Sequence, residues 1–208
     1  MTNFYCAGKL VLIVLSKILF RMNAYGKENF PHGGALVAAN HASYLDPPLV
    51  GCLAPEELYY LARESLFKYR FPNWLYRKIN GVPIKHDAAD VSSIKIILEL
   101  LKEGKKVVIF PEGTRTYNGQ LQKARRGVGL LICKAKVPVI PTYIHGSFEA
   151  LPRHRKIIHL PKVVVQYGKP VYFDKIWSGT PTKDDYQRIG DEIMSRIADL
   201  KKEVLAKL

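Results

Sequence analysis

The 208-residue chain is short of three things: cysteine, acidic side chains and long apolar runs. Cys6, Cys52 and Cys133 stand far apart, odd in number and in no metal-ligand spacing. That argues against a disulfide framework and a structural zinc site, and for a reducing compartment. Asp and Glu number 18 against 32 Lys and Arg, a net charge of +14. Residues 182–208 carry six basic and six acidic side chains, so the whole surplus lies upstream of them. Such a surplus suits an anionic partner: nucleic acid, a membrane surface or a phosphorylated substrate. No Lys/Arg block exceeds two residues, and no zinc-finger or RNA-binding aromatic signature is present. Nucleic acid is therefore set aside. Internal repeats, low-complexity stretches and dividing linkers are missing too, and the length suits one domain with a full core.

The most apolar run, Leu10 to Phe20 (LVLIVLSKILF), is too short to span a bilayer. As a helix it reaches about 16 Å, against a hydrocarbon core of ~30 Å. Lys9, Ser16 and Asn23, spaced by seven with Lys17 beside them, draw a narrow polar stripe. An otherwise apolar surface is the pattern of a helix lying in a membrane interface, or of a core helix. Ala24-Tyr25-Gly26 weakly resembles a signal-peptide cleavage site, but that reading fits worse, because Lys17 interrupts the run and only Lys9 precedes it. Residues 1–24 are read as a membrane-association helix and 25–208 as a single domain.

Within that domain, short apolar runs alternate with amphipathic ones. An edge strand is expected within Arg21 to Phe30. Further strands are expected at Ala35 to Ala39, Leu58 to Ala62, Gly81 to His86, Val107 to Phe110, Val139 to Ile144 and Val163 to Tyr167. Helices are expected at Asp46 to Leu53, from Glu64 to Asn80 with a break at Pro72, and at Asp90 to Glu103 and Arg126 to Lys136. A last helix runs from Lys183 to the C-terminus on a stripe of Ile189, Ile193, Ile197, Leu200 and Val204. This alternation predicts an α/β fold, a mainly parallel sheet flanked by helices, preceded by the N-terminal amphipathic interface helix.

Two stretches carry chemistry. Asn40-His41-Ala42-Ser43-Tyr44-Leu45-Asp46 joins the strand ending at Ala39 to a helix opened by Pro47-Pro48. Strand ends are where α/β folds place ligands. Across such a turn, His41 can donate one ring N–H to Asp46 and keep its other nitrogen free to take a proton. Asp46 as a plain helix N-cap and His41 as a satisfied, partly buried histidine remain open alternatives. The second stretch, Phe110-Pro111-Glu112-Gly113-Thr114-Arg115-Thr116, also follows a strand. Gly113 lets backbone approach a ligand, and Arg115 offers a planar fork of donors suited to phosphate. Thr114 and Thr116 add hydroxyls. A turn closed by a Glu112–Arg115 ion pair is the alternative.

Together the stretches resemble the glycerolipid acyltransferases, in particular the 1-acylglycerol-3-phosphate acyltransferases. The family's HX4D motif is matched by His41 and Asp46. Its phenylalanine-proline-glutamate-glycine-threonine-arginine block is matched by Phe110 to Arg115, and its valine-proline element by Val137 to Pro141. Its glycine-led block is matched loosely by Gly81 to His86, which ends in Lys85-His86 where arginine is usual. The resemblance covers about residues 21 to 170.

It implies transfer of a fatty acyl group from acyl-CoA or acyl carrier protein to lysophosphatidic acid, giving phosphatidic acid in phospholipid biosynthesis. It places Glu112, Gly113, Thr114 and Arg115 in the substrate site, with Lys85 a further candidate. His41 would act as general base with Asp46 orienting it, and Ser43 is the rival nucleophile. No metal or cofactor is called for beyond the thioester co-substrate. The implied location is the cell membrane, monotopic or peripheral on its cytoplasmic face. Acylation of glycerol 3-phosphate or of another lysophospholipid, and a non-catalytic lipid-binding protein of the same fold, are the competing expectations.

Overall fold

The computed structural model describes residues 13–67, 80–84, 91–174 and 181–208. Residues 13–20 form helix α1. Seven strands follow: β1 (Asn23–Tyr25), β2 (Ala35–Ala39), β3 (Leu58–Arg63), β4 (Gly81–Ile84), β5 (Lys106–Ile109), β6 (Val139–His145) and β7 (Val164–Tyr167). The other helices are α2 (Asp46–Cys52), α3 (Val91–Lys102), α4 (Arg126–Ala135), the single turn α5 (Ser147–Ala150) and α6 (Lys183–Leu205). The strands make one sheet in the order β1-β7-β6-β2-β5-β3-β4. Every pair is parallel except β6–β7. Only the one-turn α5 lies between these two strands, and without a full crossover helix the chain returns antiparallel.

The composition of each strand follows its place. Ala35–Ala39, Lys106–Ile109 and Val164–Tyr167 are buried throughout, as strands covered on both faces must be. β1, at one edge, is exposed at both ends. One face of the sheet is packed by α3, α4 and α6 through Ile97, Ile132, Ile193 and Ile197, all fully buried. There α4 and α6 approach so closely that a Cβ at Gly129 would meet the Tyr186 carbonyl at 1.9 Å. α6 opens with a reciprocal capping box between Thr182 and Asp185, and its predicted stripe is buried as expected. In α3 Ile94, Ile97 and Leu101 are buried, and Leu98 is partly so.

The opposite face is covered by α2 and α1, with Met22, Leu49, Val50 and Leu53 in its core. Here two expectations need correction. The domain boundary after residue 24 would cut through β1, whose Ala24 pairs with Val165; Met22, one residue before β1, is core. The polar stripe of α1 is also split, with Lys17 exposed and Ser16 inward. Ser16 is buried, and its hydroxyl donates to the Ile13 carbonyl at 2.9 Å, so the helix satisfies it internally. Val14, Leu15, Ile18 and Leu19 face outward. Lys9, Lys85, His86 and most of the aromatic segment Glu64 to Asn80 lie outside the described residues, of which Glu64–Phe67 is a 3-10 turn. Among the described residues no helix is long and apolar enough to cross a membrane.

Candidate active site

β2 and β5 are neighbours near the middle of the sheet, with Ala38 opposite Ile109. Both predicted stretches therefore leave the carboxyl ends of adjacent parallel strands, and the register brings them side by side. Asp46 is the first residue of α2 and wholly buried. It does not cap that helix, whose N-cap is Leu45 with no side-chain bond. Its carboxylate turns back instead. Oδ2 accepts the backbone N–H groups of Ala42 at 2.6 Å and Ser43 at 2.7 Å, and the His41 Nδ1–H at 2.7 Å. An oxygen that accepts from two fixed backbone donors can only accept from the ring as well. Nδ1 therefore carries the proton, and Nε2 is left as the basic nitrogen.

The second loop holds the imidazole from the other side. Phe110 stacks on the His41 ring at 4.0 Å between centroids and 17° between planes. Glu112 is buried; Oε1 accepts the His41 backbone N–H at 2.8 Å, and Oε2 accepts the Gln122 backbone N–H at 3.1 Å and its Nε2 at 3.0 Å. The Thr116 N–H donates to the His41 carbonyl at 2.9 Å. Both backbone polar groups of His41 are thus tied to the Glu112–Thr116 loop. Burial pushes the Glu112 carboxyl above its ordinary value, and the hydrogen bonds from His41 and Gln122 oppose this. The alternative, a turn closed by a Glu112–Arg115 ion pair, does not form, and Glu112, expected among the substrate-binding residues, spends both oxygens within the protein.

Asn40 fixes the third strand. Its side chain bonds both backbone groups of Ile144 in β6, at 2.7 Å and 3.2 Å. Ser43 is fully buried; its hydroxyl donates to the Leu151 carbonyl at 2.8 Å and accepts the Leu45 N–H at 3.1 Å. That leaves it no freedom to attack a thioester.

Arg115 is bound quite differently. Its guanidinium lies 3.5 Å from the centroid of the Tyr44 ring, and among the described residues no carboxylate pairs with it. Its Nη1 is buried without a hydrogen-bond partner there. The Arg115 guanidinium holds the Tyr44 phenol below its ordinary value, by hydrogen bond first and charge second. Arg153 joins this corner: its guanidinium donates to the Arg115 carbonyl at 3.4 Å and stacks on Tyr117 at 3.9 Å. Gly113 sits at φ +68°, and a Cβ there would meet the Arg125 side chain at 2.6 Å. The left-handed backbone of that turn is what favours glycine there, whatever ligand approaches. Thr114 contributes its carbonyl to Gln122 at 3.0 Å. A separate cavity of about 410 Å³ opens between α1, β1 and the end of α2, and no residue lining it belongs to either site loop.

Gln122, Tyr44 and Arg153 were not among the predicted site residues. Tyr44 lies inside the first motif, but Gln122 and Arg153 carry no local signal, since only the folded chain brings them here.

A family model described as Acyltransferase matches residues 21–145. The chain belongs to the acyltransferase family. The matched span begins just before β1 and ends with β6, so it contains both site loops. Among curated relatives, a 1-acyl-sn-glycerol-3-phosphate acyltransferase of Bacillus subtilis is 26% identical over 96% of this chain and 97% of its own. The chloroplastic enzyme LPAT1 of Arabidopsis thaliana, of the same description, is 29% identical over 75% of this chain but 45% of its own length. The chain therefore spans almost all of the bacterial relative and under half of the plant one. The crystal structure of the 1-acyl-sn-glycerophosphate (LPA) acyltransferase of Thermotoga maritima superposes with a TM-score of 0.72 at 28% identity. That match covers 97% of this chain and 84% of the other.

Proposed function

We propose that this acyltransferase moves a fatty acyl group from an acyl thioester to the free hydroxyl of 1-acyl-sn-glycerol 3-phosphate, forming phosphatidic acid. The observation that carries the reading is the His41 Nδ1–Asp46 Oδ2 bond of 2.7 Å beside an arginine with no carboxylate partner among the described residues. An alcohol is a weak nucleophile at neutral pH, and Nε2 of His41 takes its proton as the oxygen attacks the thioester carbonyl. The carbon–sulfur bond breaks, and the leaving thiolate receives that proton from the imidazolium. Asp46, held by two backbone donors, keeps the ring in the right tautomer and stabilises its charge during the step. The thioester already supplies activation, so no acyl-enzyme and no further cofactor enters. Glu112 acts as a tie that positions His41, and Arg115 receives the acceptor's phosphate with its unused donors. The acyl donor is a fatty acyl thioester on coenzyme A or on acyl carrier protein.

The acceptor is a bilayer lipid, and the enzyme works at the membrane surface. The outward apolar residues of α1 support this, as does the net charge of +14 opposite anionic headgroups. The cytoplasmic face follows from where such thioesters are made. Purified enzyme is to be assayed with lysophosphatidic acid, glycerol 3-phosphate and a larger-headed lysophospholipid, each with both donor types. Phosphatidic acid from lysophosphatidic acid is the expected product. Its absence with either donor would overturn the proposal, and turnover of another acceptor alone would reassign the substrate.

A further inference from the structure

The segment between α5 and β7 holds an unusual surface. Residues 154–160 are exposed one after another, and among them Ile157 is 75% exposed, Ile158 51% and Leu160 48%. Cations flank them: Arg153, Arg155, Lys156 and Lys162, with no acid between Glu149 and Asp174. The tip is folded, since the His159 N–H bonds the Ala150 carbonyl at 2.9 Å and the Arg155 N–H the Pro152 carbonyl at 3.1 Å. Isoleucines held outward by an ordered backbone gain nothing from the fold.

The loop is joined to α1. The Arg21 guanidinium donates to the Leu160 carbonyl at 3.2 Å, and the Val163 N–H donates to the Phe20 carbonyl at 2.9 Å. The end of α1, with its outward Ile18 and Leu19, is therefore fastened to the end of the loop that carries Leu160. The loop's stem is joined equally to the active site. Leu151 accepts the Ser43 hydroxyl, Pro152 bridges Ser43, and Arg153 bonds the Arg115 carbonyl.

We propose that residues 153–162 form a second membrane-docking element, whose aliphatic tip enters an anionic bilayer while its cations meet the lipid phosphates. This deepens the membrane setting proposed above and rests on it. Two anchors, α1 and this loop, define a plane that one helix alone leaves free to rotate. The stem contacts hold the His41 and Arg115 loops at a fixed relation to that plane. A second copy of a chain carrying +14 would be repelled from this patch. An acidic carrier protein would match the cations but leave the isoleucines, on a loop fastened to α1, uncovered.

Vesicles of phosphatidylglycerol and phosphatidylethanolamine test this without any acceptor, so the result stands apart from whether phosphatidic acid is formed. Ile157→Ser/Ile158→Ser should partition roughly ten- to a hundredfold more weakly than wild type, as expected for withholding two large aliphatic side chains from the bilayer. Its thermal midpoint should match wild type, because neither residue is in the core. In Cys6→Ser/Ile158→Cys the two other cysteines are buried, so a polarity-sensitive fluorophore can be placed at 158. Its emission should shift to the blue on vesicles and be quenched by lipids brominated in the upper acyl chain. Equal partitioning of the double-serine variant, or a bound protein whose fluorophore is unquenched, would overturn the proposal. So would a fluorophore shielded by acyl carrier protein but not by vesicles, which would make the loop a protein dock.

Discussion

The two loops of the site sit side by side on adjacent strands, yet they are built on opposite plans. Around His41 the groups that hold the ring are committed: Asp46 Oδ2 to three donors, the His41 backbone to Glu112 and Thr116, and Ser43 to Leu151 and Leu45, with Asp46 Oδ1 the one buried atom of these side chains that lacks a partner among the described residues. Around Arg115 the guanidinium is held by a ring face, and buried Nη1 has no hydrogen-bond partner among the described residues. A proton-transferring group must already be in place when the reaction occurs, because reorganisation then would add to the barrier. A recognition group must instead keep donors unspent for its ligand. The difference between the loops is the difference between those two tasks.

The sharpest way to break the comparison is to remove the base itself. His41→Ala should lower kcat by about 10²–10⁴-fold with little change in acceptor KM, measured as phosphatidic acid formed from vesicle-borne acceptor. A variant retaining near-full activity would take proton transfer away from this loop.

Glu112→Gln tests whether the tie matters as much as the base. The side-chain amide can still accept from the His41 N–H, but its NH₂ then faces the Gln122 backbone N–H, donor against donor. Stability should fall by about 1–3 kcal/mol, the cost of a buried donor left unpaired, and kcat by roughly tenfold with it. The pH dependence should change too. Burial raises the Glu112 carboxyl, so the folded state binds that proton more tightly than the unfolded chain. The group's contribution to stability is full below its ordinary value of 4.5 and is lost as pH rises through the raised one. Glu112→Gln should lack that decline, read as unfolding midpoints in urea across the range.

Legibility in the sequence divided along the same line as the loops. The His41–Asp46 pair could be read because both ends of the turn lie within seven residues, bounded by an apolar strand and a proline pair. The role of Glu112 could not, because its partners are the backbone of a residue 71 positions earlier and a glutamine ten later. Arg153 enters the site only because residues 151 and 152 pair with Ser43. Periodicity put Ser16 of α1 in one polar stripe with Lys17, since it treats a serine like any polar residue. Ser16 instead uses the helix's own Ile13 carbonyl, which lets it sit inward. The mainly parallel sheet was legible from strand–helix alternation, and the antiparallel β7 follows only once α5 is known to be a single turn.

Arg115→Lys sharpens the comparison from the other side. The charge stays, but the planar fork and the stack on Tyr44 are lost. Acceptor KM should rise about three- to tenfold with kcat nearly kept, because the phosphate contact serves substrate and transition state alike. The Tyr44 phenol, released from its neighbour, should titrate closer to its ordinary value, which ultraviolet difference spectra would follow. A lowered kcat at constant KM would instead place Arg115 on the reacting thioester.

The smallest catalytic effect is expected at Ser43, and it separates positioning from chemistry. Ser43 lies two residues from His41, near enough to be suspected as an acyl carrier. Its hydroxyl, however, is buried between the Leu151 carbonyl and the Leu45 N–H, and the same contacts fasten the stem of the 153–162 loop. Ser43→Ala leaves that carbonyl and that N–H unpaired, which should cost about 1–3 kcal/mol of stability. The His41–Asp46 bond does not pass through the hydroxyl, and the Ser43 backbone N–H that Asp46 accepts survives the substitution. Turnover at a temperature where the variant is fully folded should therefore stay within roughly threefold of wild type, far from the loss expected at the base. A nucleophile deleted from a covalent pathway would instead abolish turnover while leaving acceptor binding intact. Steady-state kinetics on Ser43→Ala, with intact-mass measurement of wild type held with donor alone, decides between the two. An acyl adduct on the wild type, or a variant as slow as His41→Ala, would replace direct attack with a two-step transfer.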